Sequence, residues 1–200
     1  EVDFADQLES FKNFNHPEDL LTPSLKTLVP MLGIAAYSGT GKTTLLTQLL
    51  PKLRNSGLNV AVVKHAHHLF DIDQPGKDSY RIREAGANQV IVASRRLLAL
   101  MQTSDDFQTE PLLADCLARL DMQRLDLILV EGFKHEAIPK LELHRTSIGK
   151  PLLYPDDPNI IAIATDTVLA QALSITVLNL NDVDTILQFI HTFIRQHKHD

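Results

Sequence analysis

A glycine-rich segment between an apolar run and an amphipathic segment constrains the fold of this 200-residue sequence more than any other feature. The apolar run at residues 31–36 predicts a buried strand, and leucines at helical spacing over residues 43–55 predict a helix with one apolar face. The segment between them contains Ser38, Gly39, Thr40, Gly41, Lys42, Thr43 and Thr44. A strand, such a turn and a helix form a phosphate-binding loop, or P-loop. The sequence therefore predicts an α/β nucleotide-binding protein.

The residue types of this loop suit a triphosphate. Glycine residues let backbone N–H groups turn toward phosphate oxygens, and the N-terminus of the following helix adds a positive dipole end. We expect Lys42 to contact the β- and γ-phosphates and the Thr43 hydroxyl to bind Mg²⁺. The usual motif begins with glycine where this sequence has Ala36. The alternative is a glycine-rich turn with an incidental lysine, but the strand, the spacing and the helix all favour a P-loop.

Further apolar runs alternate with segments of helical spacing, which is typical of a mainly parallel sheet flanked by helices. The predicted strands lie at residues 60–63, 125–130 and 160–164, and the predicted helices at 79–85, 111–120 and 182–197. Two more apolar runs, at residues 89–93 and 97–101, predict a β-hairpin. The expected fold class is thus an α/β fold of the P-loop NTPase type with a hairpin extension.

Composition narrows the functional classes. The net charge of −6 argues against a general nucleic-acid-binding surface, which needs a basic face. The only cysteine, Cys116, excludes an intrachain disulfide and a cysteine-based zinc or iron–sulfur site. No apolar run reaches the roughly 18 residues that a membrane span needs. We expect a cytoplasmic protein that binds neither nucleic acid nor membrane, with an N-terminal segment and linker at residues 1–29 and a P-loop domain at 30–200.

Ligands of open α/β sheets bind at the carboxyl ends of the strands, so residues there are the next candidates. Lys64 and His65 follow one predicted strand and Glu131 follows another. Asp126 lies at the beginning of the strand that Glu131 follows, and the two residues are about 16 Å apart at the usual rise per residue. We therefore expect Glu131 to be the catalytic and Mg²⁺-linked acid, either through water or by orienting a nucleophile. The ordinary alternative is a solvated carboxylate after a strand.

The candidate for base recognition is Asp166, which follows the predicted strand at residues 160–164. Guanine-specific P-loop proteins use an aspartate after a late strand to accept hydrogen bonds from the base. Asn179 and Asp182 resemble the spacing of an N-K-x-D motif without its lysine. We prefer Asp166 because it directly follows a strong strand, and a capping aspartate is the alternative.

The segment after the second predicted strand is rich in polar residues. Its histidines and aspartates are His65, His67, His68, Asp71 and Asp73. Such a set could bind a transition metal, although histidines in loops are more often solvated. We prefer an anion-binding or switch loop that uses Lys64, Lys77 and Arg81.

Five segments carry a pattern that is more specific than a P-loop alone. They lie at residues 35–44, 63–65, 71–79, 85–87 and 127–134. In this order they resemble the MobB family of molybdopterin-guanine dinucleotide biosynthesis proteins, in which alanine also occurs at the position of Ala36. The resemblance implies a homodimeric GTP-binding protein with weak GTPase activity, which assists a MobA-like guanylyltransferase in joining GMP to molybdopterin. Residues 11–20 resemble the closing segment of that partner.

Three functions stay open at this point. The first is a GTP-binding adapter that is at most a weak GTPase, because no arginine finger or water-orienting glutamine is evident by position. The second is a P-loop kinase of a small molecule. Its candidate residues are Asp78 or Glu131 as base, and its lid arginines are either Arg81 and Arg83 or Arg95 and Arg96. The third is a nucleotide-dependent metallochaperone that uses the loop histidines.

Overall fold

A computed structural model describes residues 29–66, 70–104, 109–169 and 173–197, and within these ranges the chain forms eight strands and four α-helices. The strands are β1 (Met31–Ala35), β2 (Val60–Lys64), β3 (Gln89–Ala93), β4 (Leu98–Gln102), β5 (Leu127–Glu131), β6 (Lys140–His144), β7 (Ile160–Thr165) and β8 (Thr176–Asn179). The helices are α1 (Lys42–Asn55), α2 (Asp78–Glu84), α3 (Leu113–Leu117) and α4 (Val183–His197). In the described part of the chain, no helix has the length and apolar character that crossing a bilayer requires.

Six strands form one parallel sheet in the order β2-β5-β1-β6-β7-β8. The central strand β1 pairs with β5 so that Ile34 lies opposite Glu131, and β2 pairs with β5 so that Lys64 also lies opposite Glu131. All carboxyl ends of a parallel sheet meet at one edge. This register therefore brings the segment after β1, the end of β2 and the end of β5 together.

One face of the sheet is covered by α1 and α4. Both helices present an apolar stripe to the sheet, and Leu49, Leu53, Ile186 and Ile190 are completely buried there. The side chains of Leu141 and Leu143 on β6 belong to the same core. Burial of this apolar surface is the main stabilising contribution to the fold.

The described residues cover the opposite face with a smaller apolar layer. The short helix α3 packs Leu113 and Leu117 against Ile128 of β5. Alternate residues of a strand point to opposite faces, so Lys140 and Glu142 of β6 point to this second face. Both charged residues are nevertheless buried.

Strands β3 and β4 form a separate antiparallel hairpin, paired from Gln89 with Gln102 to Ala93 with Leu98. Several of its large apolar side chains are exposed, namely Ile91, Val92, Leu97, Leu98 and Leu100.

The predicted fold class is confirmed, with shifts in the bounds of most elements. The prediction of a helix over residues 111–120 was too long, because the described helix spans Leu113–Leu117. Leu112 has an extended backbone, and the chain after the helix closes with i to i+3 hydrogen bonds from Arg119 and Leu120. Strands β6 and β8 were not predicted. Residues 1–28, and with them nearly all of the predicted N-terminal segment, lie outside the described residues.

Candidate functional site at the P-loop

The P-loop connects β1 to α1 through two glycines with left-handed backbone. Gly39 has a φ of 82° and Gly41 a φ of 105°. Residues other than glycine rarely adopt this backbone conformation. Gly41 immediately precedes α1, and its carbonyl accepts a hydrogen bond from the Leu45 N–H at 2.9 Å. The two glycines thus give the chain the sharp turn between strand and helix that a P-loop requires.

The Lys42 side chain folds back over the loop. Its Nζ donates hydrogen bonds to the Ala36 carbonyl at 3.1 Å and to the Tyr37 carbonyl at 3.2 Å. Burial lowers the pKa of the Lys42 ammonium, and the nearby Glu131 carboxylate opposes that shift. The lysine is therefore held at the concave side of the loop, beside an acidic group at the sheet edge.

The other predicted loop residues fall into two groups. The exposed group consists of Ser38, Gly39, Thr43 and Thr44. Thr40 is buried, and its hydroxyl donates a hydrogen bond to the Tyr37 carbonyl at 2.9 Å. The Thr40 hydroxyl thus supports the shape of the loop, while the exposed residues are accessible to a ligand.

Glu131 is the last residue of β5 and lies at the carboxyl edge of the sheet. Its side chain is only 12% exposed, and its Oε2 is 3.8 Å from the Lys64 Nζ. Asp126 lies at the other end of the strand, where its Oδ2 accepts a hydrogen bond from the Asn59 N–H at 3.0 Å. The structure thus brings Lys42, Lys64 and Glu131 together and keeps Asp126 away from them.

His65 is fixed at the rim of this edge by three neighbours. Its backbone N–H donates to the Glu131 carbonyl at 2.8 Å, its ring stacks on Phe133 with 5.0 Å between centroids, and its Nε2 is 2.6 Å from the Glu110 Oε2. Gly132 has a φ of 102°, and a Cβ at this position would lie 2.8 Å from the His65 Cβ. The close approach of the two loops therefore needs glycine.

The metal-binding interpretation of the histidine loop finds no cluster in the described part of the chain. His67 and His68 lie outside the described residues. Among the described residues, no group of three or more His, Cys, Asp or Glu side chains could hold a metal ion.

Asp166 follows β7, and its carboxylate is already hydrogen-bonded. Its Oδ1 accepts from the Thr146 N–H at 2.9 Å and from the Thr146 hydroxyl at 3.0 Å, and its Oδ2 is 3.4 Å from the Arg145 Nη1. The backbone hydrogen bond from Thr146 is the largest cause that lowers the pKa of Asp166. The other candidate, Asp182, accepts hydrogen bonds from the N–H groups of Asp184 and Thr185 and caps the start of α4.

Arg145 is a residue of the site that the sequence analysis missed. Its Nε donates to the Thr40 carbonyl at 3.2 Å, and its Nη2 is 3.5 Å from the Asn181 Oδ1. Together with the contact to Asp166, these bonds join the P-loop to the ends of β7 and β8. Arg145 directly follows β6, so a correct prediction of that strand would have selected it by the same sheet-edge rule.

The arginines considered for a kinase lid lie on α2 and in the turn between β3 and β4. Arg83 belongs to α2, where its Nη2 contacts the Asp71 Oδ2 at 2.8 Å. Arg95 and Arg96 lie in the turn between β3 and β4. The pair of Arg83 with Asp71 holds the middle of the loop between β2 and α2 against α2.

Two cavities flank the P-loop. The larger one has a volume of about 990 Å³ and extends from Ser38 and Lys42 across the second face of the sheet to Lys140 and Asp157. The smaller one, of about 190 Å³, is lined by Gly41, Thr44, Gln48, Arg145 and Asn181, among others. The loop thus separates a small pocket on the side of Arg145 from a large one on the side of Glu131.

A family model described as "Molybdopterin guanine dinucleotide synthesis protein B" matches residues 31–166. The chain belongs to the MobB family. Relatives include the molybdopterin-guanine dinucleotide biosynthesis adapter protein of Escherichia coli K12, which is 47% identical over 166 residues, or 82% of this chain and 93% of the relative. The protein of the same description from Haemophilus influenzae is 43% identical over 83% of this chain and 90% of its own length.

The fold of the family agrees with this membership. The crystal structure of a MobB homolog from Bacillus stearothermophilus superposes with a TM-score of 0.61 at 27% sequence identity and covers 83% of this chain and 98% of its own. A second structure, of a molybdopterin-guanine biosynthesis protein B, superposes with a TM-score of 0.62 over 82% of this chain and 99% of that one, also at 27% identity.

Proposed function

We propose that this protein is a GTP-binding adapter in the biosynthesis of molybdopterin guanine dinucleotide. The observation that carries the proposal is the P-loop with Lys42 and Glu131 at the carboxyl edge of the sheet, in a chain that belongs to the MobB family. The description of the Escherichia coli and Haemophilus influenzae relatives as adapter proteins supports the biosynthetic role.

The triphosphate binds in the concavity of the P-loop. The Lys42 ammonium exchanges its contacts with the Ala36 and Tyr37 carbonyls for phosphate oxygens, because an anion is a stronger acceptor than a carbonyl. The exposed backbone of Ser38 and Gly39 and the start of α1 at Thr43 and Thr44 surround the same phosphates, as the helix N-terminus favours negative charge. Lys64 and His65 complete the rim on the side of Glu131.

Mg²⁺ fits the groups beside the loop. The Thr43 hydroxyl and the Glu131 carboxylate are hard oxygen ligands of the kind that Mg²⁺ prefers, directly or through water. The ion, when bound, neutralises phosphate charge. The pairing of β5 with β1 and β2 fixes the position of Glu131. Its carboxylate is an acceptor for a hydrogen bond from water near the γ-phosphate.

The base extends toward the smaller cavity and Asp166. The contact between Arg145 and the Asp166 Oδ2 is 3.4 Å long, so it is the weakest of that carboxylate's hydrogen bonds and the one that guanine N–H donors replace. The released Arg145 guanidinium stays near the loop through the Thr40 carbonyl. Guanine preference then depends on Asp166.

The adapter acts with other macromolecules and with a pterin. We propose a MobA-like guanylyltransferase as the partner and molybdopterin as the compound that receives GMP. The protein hydrolyses GTP slowly at most, and it acts in the cytoplasm. A homodimer is supported by the hairpin of β3 and β4, whose exposed side chains Ile91, Leu98 and Leu100 form an apolar surface suited to a second copy.

Calorimetric titration of GTP, ATP and GDP with Mg²⁺ tests the proposal. GTP is expected to bind more tightly than ATP. Lys42→Ala should weaken the binding of both triphosphates about 100-fold, since it removes charge-assisted hydrogen bonds from the phosphates. Asp166→Asn should weaken GTP about tenfold, since it removes a charged acceptor, and should leave ATP nearly unchanged.

Asp182→Asn is the matched control, because Asp182 caps α4 and has no role in the proposed base site. Retained triphosphate affinity in Lys42→Ala contradicts the P-loop assignment. Equal losses of GTP and ATP affinity in Asp166→Asn contradict the assignment of the base site. A wild-type preference for ATP contradicts the GTP-binding adapter itself.

A further inference from the structure

The larger cavity has an inner end that the proposed nucleotide does not use. Its mouth is formed by Ser38, Lys42 and Lys64, where the phosphates bind, and its inner end lies at Lys140 and Asp157 on the second face of the sheet. A volume of about 990 Å³ is enough for a whole small ligand. The inner end therefore leaves space for a second compound next to the nucleotide phosphates.

A buried lysine marks this inner end. The Lys140 side chain is only 5% exposed, and its Nζ donates to the Asp157 Oδ2 at 2.7 Å and to the Lys134 carbonyl at 2.9 Å. Lysine is rarely buried to this degree. An ammonium group has three N–H donors, and the two hydrogen bonds leave one for a ligand in the cavity that Lys140 lines.

The neighbouring strand makes room for this lysine. A Cβ at Gly33 would lie 2.8 Å from the Lys140 Cγ, so the lysine stem crosses β1 only because residue 33 is glycine. Glycine in the interior of a strand weakens the strand, and it often marks a close approach of another group. The Lys140 side chain can therefore line the cavity only because β1 contains a glycine that weakens the strand.

A carboxylate with unused acceptor capacity lines the same cavity. Asp156 is exposed, and the described hydrogen bonds give its carboxylate oxygens no donor. Both carboxylate oxygens of the neighbouring Asp157 already accept hydrogen bonds, Oδ2 from Lys140 and Oδ1 from Asn159. Asp156 supplies two acceptors and Lys140 supplies one donor to the cavity.

This set of groups complements the edge of a 2-amino-4-oxopyrimidine ring. The ring N3–H and the 2-amino group donate hydrogen bonds, which a carboxylate accepts, and the 4-oxo group accepts one, which an ammonium donates. Val130, Ile138 and Leu153 provide apolar surface for the ring faces, and Lys134, which lines the cavity and is not used by the proposed nucleotide, suits the pterin phosphate. A pterin phosphate has the ring at one end and the phosphate at the other.

We infer that the larger cavity binds the pterin phosphate of molybdopterin, with Asp156 and Lys140 reading the pterin ring. The inference rests on the proposed function, because the pterin is the compound that the adapter would bring together with GTP. Guanine carries the same ring edge, so the test must distinguish a pterin from a guanine compound.

Fluorescence titration of the full chain with 6-hydroxymethylpterin monophosphate tests the inference. The comparison ligand is the corresponding lumazine, which has an oxo group in place of the 2-amino group. Asp156→Asn should lower the affinity for the pterin about tenfold or more, since a charged acceptor of two hydrogen bonds is lost. Lumazine binding should change much less, and GTP binding should not change.

Asp115→Asn on α3 is the matched control and should leave all three affinities unchanged. Absence of pterin binding in a chain that binds GTP overturns this inference and leaves the GTP-binding adapter intact. Equal pterin affinity in Asp156→Asn and wild type also overturns it. Displacement of the pterin by guanosine, with GTP weakened in Asp156→Asn, identifies a guanine site and overturns it as well. A chain that binds pterin as expected but not GTP contradicts the proposed function alone.

Discussion

The two faces of the central sheet are built in opposite ways. Among the described residues, the face under α1 and α4 is a single apolar core of 18 buried residues, whereas the core on the other face has eight and lies mainly under α3. The second face also holds buried charge, namely Lys140 and Glu142 of β6. Leu141 lies between these two residues and points to the first face, so one strand serves both surfaces.

The difference shows that the two faces are held together by different kinds of contact. Apolar burial on the first face stabilises the sheet without any directional contact. On the second face the Glu142 oxygens accept from the Leu153 and Tyr154 N–H groups, both at 2.8 Å, and hold the loop that walls the larger cavity. Burial raises the pKa of the Glu142 carboxyl, and these two hydrogen bonds oppose that shift.

The largest effect is expected on the first face. Leu49 on α1 is completely buried, so Leu49→Ala should lower the free energy of unfolding by about 3 kcal/mol through lost burial and a cavity. Urea unfolding of the variant and wild type measures the change. Leu112→Ala, at an exposed leucine, is the control and should change the free energy by less than about 0.5 kcal/mol. Similar losses in both variants would remove the contrast between core and surface.

An intermediate effect is expected at the buried ion pair of the second face. Asp157→Asn should lower the free energy of unfolding by about 2 kcal/mol at pH 7, because it leaves the buried Lys140 ammonium without its carboxylate. Asp156→Asn is the control for stability, since Asp156 is exposed.

The same pair predicts a pH dependence. Burial alone would raise the pKa of Asp157, but hydrogen bonds from Lys140 and Asn159 outweigh it and leave the pKa below its ordinary value of 3.8. A depressed pKa stabilises the folded state above the unfolded pKa, and this contribution is lost as the pH falls through the folded pKa. The difference between Asp157→Asn and wild type should therefore shrink below pH 3.8. A difference that stays constant down to pH 2 would show that the carboxylate charge plays no part.

The smallest effect is expected at Gly33. Gly33→Ala places a Cβ against the Lys140 stem and should cost about 1 kcal/mol of unfolding free energy, as overpacking does. Thermal unfolding measures it. Ala61→Gly, which removes a Cβ from β2 in the same sheet, is the comparison variant. Stabilisation of the chain by Gly33→Ala would mean that the lysine stem can move aside freely.

The contrast between the faces also explains what the sequence could predict. The leucine spacing of α1 and the continuous apolar run of β5 are local patterns, and so is the glycine-rich loop between β1 and α1. These parts of the fold and of the site were therefore accessible from the sequence. The positions of Lys64, Glu131 and Asp166 at one sheet edge followed from the rule for parallel strands.

The missed parts depend on contacts between distant segments. Strand β6 alternates buried leucines with charged residues, which is also the pattern of a strand with a solvated face. Only the tertiary structure buries Lys140 against Asp157 and brings Arg145 to the Thr40 carbonyl. The larger cavity is formed by such distant segments, so no local pattern indicates it.

The hairpin of β3 and β4 has a consequence for how the protein opens. A two-stranded antiparallel ribbon is marginally stable on its own, and its exposed apolar side chains contribute little burial within one copy of the chain. Its amide hydrogens should therefore exchange with solvent by local opening, long before those of the six-stranded sheet. If a second copy covers the ribbon, its exchange slows as the protein concentration rises. Protection of these ten residues would then report assembly, and protection of β1 and β5 would report global unfolding.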